Sequence, residues 1–467
     1  MTTTLSSAPL RANNVSRFYA IAWRWHFYAG LYVVPFLVML SLTGLAMVFF
    51  TGFQTRLGMT VYVTPQSQVQ PVTVQAKAAL DSVPGATLNE YIAPPTREVA
   101  SWFAVTRSGA TEMVAVDPYT SAVLKTVNKD HTVFAWANKI HGTLLIGDVG
   151  DRLVEIAAGL GIVMLITGLY LFWPRKSERW AEVLVPDWSA SGRKWWKSLH
   201  ASVGFWVSVV LFLFLLSGMA WTGVWGSKLV QPWGSFPASK WDAVPTSDAT
   251  HASLNTAGLK EVPWGLEQTP LPVSGSDGGA LGIAADEPVD LDGVSALAQR
   301  LGFSGQYHIN VPQGATGVYT LSKDTMSGDL DNPMQDRVVH IDRYTGRVLA
   351  EAAFADYSLM AKAMAVGIAL HQGDLGVLNA LVNVVFCLAI LLLCVSGAVM
   401  WWKRRPQGSG RLGAPSVPPQ AALWKGGAIV MLFTALAFPL AGGVLVAAVL
   451  VDALLLSRIA RLRAVLN

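Results

Sequence analysis

From Phe27 to Phe50 the chain runs for 24 residues without a charged side chain. As an α-helix this stretch is about 36 Å long, enough to cross a hydrocarbon core of about 30 Å. No soluble fold of ordinary size buries such a segment on all sides, so the run predicts a membrane span. Pro35 lies inside it, and membrane helices tolerate a proline because neighbouring groups satisfy the freed carbonyl. Comparable apolar runs fall within 141–173, 200–225 and 366–402, and a longer one covers 423–456. The last is about 50 Å long as a single helix, so it is read as a hairpin of two spans. The expected fold class is a membrane protein with an α-helical transmembrane bundle of about six spans.

Basic residues orient the spans. Arg11, Arg17 and Arg24 precede the first run, W173-P-R-K-S-E-R179 ends the second, R193-K-W-W-K197 precedes the third and W401-W-K-R-R405 ends the fourth. Positive residues stay in the cytoplasm. The N-terminal arm 1–26, the loops 174–199 and 403–422 and the tail 457–467 are therefore cytoplasmic by expectation, and a bacterial inner-membrane location follows. The longer polar segments 51–140 and 226–365 then lie outside the cytoplasm. Composition agrees, with 52% hydrophobic and 14% charged residues. A formal net charge of +4 gives no support to nucleic-acid binding. The two cysteines, Cys387 and Cys394, share one apolar run about 10 Å apart in helical rise, too far for a disulfide.

The chain repeats itself. R24-W-H-F-Y-A-G30 opens the first span and K197-S-L-H-A-S-V-G204 the third, both carrying H-x3-G. Each histidine is followed 18 residues later by the glycine of a small-Gly pair, Thr43-Gly44 and Ser217-Gly218. The returning spans carry K139-I-H-G-T-L-L-I-G-D-V-G150 and A369-L-H-Q-G-D-L-G376, a looser repeat with a Gly-Asp-x-Gly turn after each histidine. The external segments close on V116-D-P-Y-T-S-A-V-L124 and I341-D-R-Y-T-G-R-V-L349, read as hairpin turns between strands such as F103-A-V-T and V338-V-H-I. The expectation is a duplicated span, α+β domain, span unit.

Four of the eight histidines thus stand at repeat-related positions at membrane edges, His26 and His200 on the inner side, His141 and His371 on the outer. Ionisable groups there are costly and usually functional. Two neutral imidazoles facing across a bundle are the way such proteins hold a b-type haem, and no C-x-x-C-H is present for covalent attachment. Zinc would ask for three or four clustered ligands and copper for nearby sulfur. Shared membrane side pairs His26 with His200 and His141 with His371. His251, His308 and His340 read as ordinary surface or core residues, and His131 is left open. Trp23, Trp25, Trp136, Trp195 and Trp196 suit a flat macrocycle or an interfacial belt equally well.

Over nearly its whole length the chain resembles the PepSY-associated transmembrane family, on the D-P-Y-T and D-R-Y-T-G hairpins, the H-x3-G spans and L-H-x-G-D. Ser121 stands where that family usually has glycine. The resemblance implies two extracytoplasmic PepSY-like domains, two b-type haems with His26, His141, His200 and His371 as axial ligands, and reduction of a ferric siderophore or other iron chelate on the periplasmic side. No catalytic side chain is singled out. The donor would be separate, a flavin reductase, reduced flavin or quinol. G408-S-G-R-L-G413 matches a dinucleotide fingerprint but follows W401-W-K-R-R-P rather than a strand, so no built-in nucleotide or flavin site is expected. The competing readings are a membrane-anchored binding module without redox activity and an iron-siderophore permease. The second asks for acids along the spans, where Glu155 and Asp452 are nearly the only ones.

Overall fold

The computed structural model describes residues 12–174, 180–241, 244–405, 412–414, 425–451, 454 and 458–459. In chain order the elements begin with α1 (Ala12–Gly52), α2 (Val72–Ser82), β1 (Thr87–Ile92), β2 (Ser101–Arg107), β3 (Ala110–Val116), β4 (Val123–Asn128), α3 (Val133–Thr143), α4 (Asp148–Phe172), α5 (Trp180–Leu184) and α6 (Gly192–Met219). They continue with α7 (Gln231–Gly234), β5 (Thr246–Thr250), β6 (Pro270–Pro272), α8 (Leu291–Arg300), β7 (His308–Asn310), β8 (Tyr319–Lys323), β9 (Arg337–Ile341), β10 (Val348–Ala353), α9 (Leu359–Gln372), α10 (Val377–Arg404), α11 (Lys425–Ala437) and α12 (Pro439–Val451). The chain divides into two compact units, one of Met1–Leu42, Ile146–Trp225 and Val385–Asn467, the other of Thr43–Leu145 and Gly226–Val384.

The first unit is helical. Among the described residues four helices, α1, α4, α6 and α10, are long and apolar enough to cross a membrane. The chain is a multi-pass membrane protein on that ground. Helix α6 stops at Met219, short of the end of the apolar run, because two acids of α4 capture the backbone that follows. Asp151 accepts from Gly223 N–H at 3.0 Å, and both oxygens of the buried Glu155 accept from Val224 and Trp225 N–H at 3.1 Å each. A buried carboxylate is tolerable when donors satisfy it in this way. Thus Glu155 is a structural acid.

Helices α11 and α12 form a hairpin about Phe438. Each has 13 described residues. The break falls at Phe438-Pro439, where sequence places the turn, and the neighbouring Gly442-Gly443 lies beyond it. Gly442 lies inside α12, where an added Cβ would meet Ala435 Cα at 2.1 Å, so its role is close helix packing. Cys387 and Cys394 are buried, unpaired thiols on α10. Residues 408–411 of the glycine-rich motif, and the terminal basic residues from 460 onward, lie outside the described residues.

The second unit is built on one eight-stranded sheet of order β10-β9-β8-β7-β1-β2-β3-β4, every named pairing antiparallel. Each repeat supplies a helix and a four-strand meander, α2 with β1–β4 and α8 with β7–β10. The expectation of two domains is therefore refined: the halves join edge to edge through β1 and β7, with Glu90 opposite Asn310 and Ile92 opposite His308. Pairing covers both inner edges, which alone would expose unpaired backbone groups. Helices α2 and α8 cover one face, burying Val72, Ala76, Val294 and Leu297 on Phe103, Val114, Ile309, Leu321 and Val339.

The two sequence-repeat turns are the same structure twice. Asp117 Oδ1 accepts from Tyr119 N–H at 2.8 Å, and Asp342 Oδ1 from Tyr344 N–H at 2.7 Å. Four residues after each aspartate the chain turns left-handed, at Ser121 (φ 56°) and Gly346 (φ 65°). Glycine adopts that conformation freely, serine at a cost.

Candidate functional site: two histidine pairs

Within the helical unit, α1 presents His26 and α6 presents His200, with ring centroids 6.5 Å apart and planes at 88°. The second nitrogen of each ring is held by a different helix. His26 Nδ1 lies 2.9 Å from the Met164 carbonyl of α4 and 3.3 Å from Thr167 Oγ1. A carbonyl only accepts, so this nitrogen carries the proton. His200 Nδ1 lies 2.8 Å from Ser396 Oγ on α10. That hydroxyl donates its single proton to the Leu393 carbonyl at 3.0 Å, so toward His200 it accepts. Both rings are thereby set as Nδ1–H tautomers, and Nε2 is left as the basic nitrogen of each.

Glycines let the rings approach. An added Cβ on Gly168 would stand 3.0 Å from His26 Cε1, and one on Gly397 3.6 Å from His200 Cε1. The sequence pairs Thr167-Gly168 and Ser396-Gly397 therefore do one job: hydroxyl at the imidazole proton or beside it, glycine under the ring. Their resemblance to Thr43-Gly44 and Ser217-Gly218 was the signal by which sequence reasoning could have found them. In the sequence alone the latter two stand out only as repeat markers.

Within the sheet-bearing unit, α3 presents His141 and α9 presents His371, with centroids 6.3 Å apart and planes at 78°. Thr43 Oγ1 lies 2.9 Å from His141 Nδ1, so one of those markers also holds a ring. The end of α9 is clamped by α10: Asn383 Nδ2 donates to the Leu370 and His371 carbonyls at 2.8 and 3.0 Å, and Asn379 Nδ2 to Leu370 at 3.0 Å. Gly373 (φ 86°) caps α9, and an added Cβ there would stand 2.7 Å from Val48 Cγ2. Just beyond, Asp374 pairs with Arg56 at 3.3 Å. Burial pushes its carboxyl up to about 6 despite the guanidinium.

The repeated Gly-Asp-x-Gly phrase is not one turn used twice. Gly147 precedes α4 and Gly150 lies within it, whereas Gly373 ends α9 and Gly376 precedes α10. In the first copy the left-handed positions after the helix fall on Leu144 and Leu145 (φ 52° and 63°).

The four predicted histidines thus come together in the two expected pairs. Two imidazoles sharing one metal, with bonds of about 2.0–2.1 Å and about 1.1 Å from nitrogen to ring centre, would put centroids about 6.2–6.4 Å apart. Both observed separations match. Metal-binding histidines also engage their other nitrogen with a carbonyl or hydroxyl, as His26, His141 and His200 do. The residues present fit a bis-imidazole group. Among the described residues no three His, Cys, Asp or Glu side chains converge to hold a metal ion by themselves.

The other histidines divide. His131 is exposed. His251 and His340 are buried with Nε2 atoms 2.9 Å apart, and burial pushes His251 down to about 4. His308 lies between Glu90 (2.8 Å) and Asp329 (3.0 Å). Burial opposes its charge, but the two carboxylates hold it well above the ordinary imidazole range. No sequence motif marked this triad, because its members are far apart in the chain.

A multi-pass membrane protein with a sheet-rich unit and two interior histidine pairs is the class that fold and site define. The chain belongs to the family described as PepSY-associated TM region, which matches residues 23–404. Among curated proteins none matches it.

Proposed function

We propose that the protein is a di-haem b-type cytochrome of the bacterial inner membrane that reduces a ferric siderophore or similar iron chelate at the periplasmic face. The observation that carries this reading is the pair of imidazole pairs, 6.5 and 6.3 Å between centroids, with Nδ1 engaged at His26, His141 and His200. His26 and His200 would hold one haem, His141 and His371 the other. When bound, the haems would supply one-electron transfer from a flavin reductase, reduced flavin or quinol on the cytoplasmic side to the chelate outside.

The chain's own residues do the rest. Met164 and Ser396 fix tautomers that leave Nε2 basic, and Asn379 and Asn383 hold the end of the helix bearing His371. In this reading both termini are cytoplasmic, α11 and α12 complete six spans, and the sheet-bearing unit is the periplasmic platform on which a bulky chelate would rest. The permease reading loses its best candidate, since Glu155 spends both oxygens on backbone N–H groups. The anchored-module reading leaves the two matched pairs without a purpose.

A pyridine haemochrome assay on protein expressed with ample haem tests the proposal. Two b-type haems per chain are expected, and their absence would overturn it. If both haems are present and reducible, yet inside-reduced, right-side-out vesicles fail to reduce any external ferric chelate, the substrate assignment fails and the cytochrome stands.

A further inference from the structure

The face of the sheet opposite α2 and α8 carries a polar row. Across neighbouring strands run Glu90, Asn310, Thr320 and His340, each paired in register with the next. The segment containing His251, Leu254, Val262 and Pro263 lies over this row, and with Glu261, Ser322, Asp324, Ser327 and Val338 encloses a cavity of about 370 Å³ including its mouth. Its free room is that of about one or two water-sized groups.

Nearly every polar group on the wall accepts hydrogen bonds. Of the three carboxylates, two already have cations: Glu90 has His308 at 2.8 Å, and Glu261 has Lys129 at 2.7 Å. Asp324 does not. Its Oδ1 accepts from Ser327 N–H at 2.8 Å, whereas Oδ2 is buried with no partner. The residue is 1% exposed, so this is a bare carboxylate oxygen facing a polar cavity. Such an orphan costs free energy unless a guest serves it. Asn310 donates its amide N–H toward Glu90 at 3.5 Å, which leaves its carbonyl oxygen as a further acceptor. Ser322 adds a hydroxyl.

We infer that this cavity is a binding site for a primary ammonium group, free ammonium or the end of an alkylamine, with Asp324 Oδ2 as its principal acceptor. A carboxylate of a guest would stand against Glu90, Glu261 and Asp324. A divalent ion would need three or more ligands placed around it, and among the described residues no His, Cys, Asp or Glu group offers that. An ammonium head is the size of a water and brings the N–H donors and the charge that the wall lacks. The site is independent of the histidine pairs, so haem content neither supports nor sinks it.

The test uses the full-length protein in detergent at pH 8 and constant ionic strength. Titration calorimetry and thermal unfolding would compare ammonium chloride, pentylamine hydrochloride, tetramethylammonium chloride and calcium chloride. Ammonium and pentylamine should bind saturably and raise the unfolding temperature, and tetramethylammonium, with no N–H, should not. Loss of a charge-assisted bond should weaken pentylamine binding about tenfold or more in Asp324→Asn, with a smaller loss in Ser322→Ala. Binding unchanged in Asp324→Asn, equal response to all four salts, or response to calcium alone would overturn the assignment in favour of a water-filled or divalent-ion cavity. Should Asp324→Asn not fold, unchanged pentylamine binding in Ser322→Ala together with a matching effect of tetramethylammonium would do the same.

Discussion

Ser396→Ala and Thr167→Ala remove similar hydroxyls near the two rings of one pair, yet the geometry assigns them different consequences. Ser396 is wholly buried, and its Oγ is the acceptor 2.8 Å from His200 Nδ1. Alanine there removes the near acceptor and leaves the buried ring only the Leu393 carbonyl, a cost of about 1–3 kcal/mol at most. At 1.4 kcal/mol per decade this is about a 5- to 150-fold loss of haem affinity at the His26/His200 site, in the range found for removing an outer partner of a metal-bound histidine. Thr167 is different. His26 Nδ1 keeps the Met164 carbonyl at 2.9 Å when the threonine hydroxyl at 3.3 Å is lost, so the change should stay below about threefold. The assay is haemin titration into apoprotein carrying His141→Ala, which isolates the site, followed by Soret absorbance. Equal losses in the two variants, or a change under about twofold in Ser396→Ala, would refute the tautomer argument while leaving haem binding itself intact.

Three further outcomes are expected. His26→Ala and His200→Ala should each remove the same haem from the absorption spectrum and spare the one lost in His141→Ala or His371→Ala; crossed losses would break the pairing. Ser121→Gly should stabilise the sheet-bearing unit by about 1 kcal/mol, because it relieves a left-handed serine whose buried Oγ has no partner, and Gly346→Ala should destabilise it by about 2–4 kcal/mol, since the new Cβ would sit 2.6 Å from Ile283 Cβ; both are read by denaturant unfolding. The unit's stability should fall more steeply with pH from 6.5 to 8 than from 4 to 6.5. In the lower window neutral buried His251, pushed down to about 4, makes stability rise with pH, while Asp324 and Asp336, pushed up by burial to about 7 and about 8, make it fall. Above 6.5 the imidazole contribution is complete and the carboxyls, with His308 held protonated by its acids, act alone. Asp336→Asn should make the upper slope shallower in pH-resolved thermal unfolding, and an unchanged slope would count against the buried-carboxyl account.

Much of this protein is written locally. A 24-residue uncharged run is a span wherever it occurs, since no neighbour can supply the water its backbone would otherwise need. The D-P-Y-T-S and D-R-Y-T-G turns were legible because an aspartate binding its own backbone two residues on is a local device. The histidine pairing was legible only through repetition, as equal offsets place equal residues at equal heights. What tertiary structure decided depends on residues distant in sequence. Nothing along the chain says that β1 will pair with β7 and merge two repeats into one sheet, because a strand edge carries no mark of its partner. Nothing marks Glu90, His308 and Asp329 as neighbours, or Asp324 as an orphan, because burial belongs to the packed state. The choice of tautomer at His26 and His200 came from a carbonyl of α4 and a hydroxyl of α10, groups that any helix possesses and only packing brings to an imidazole proton.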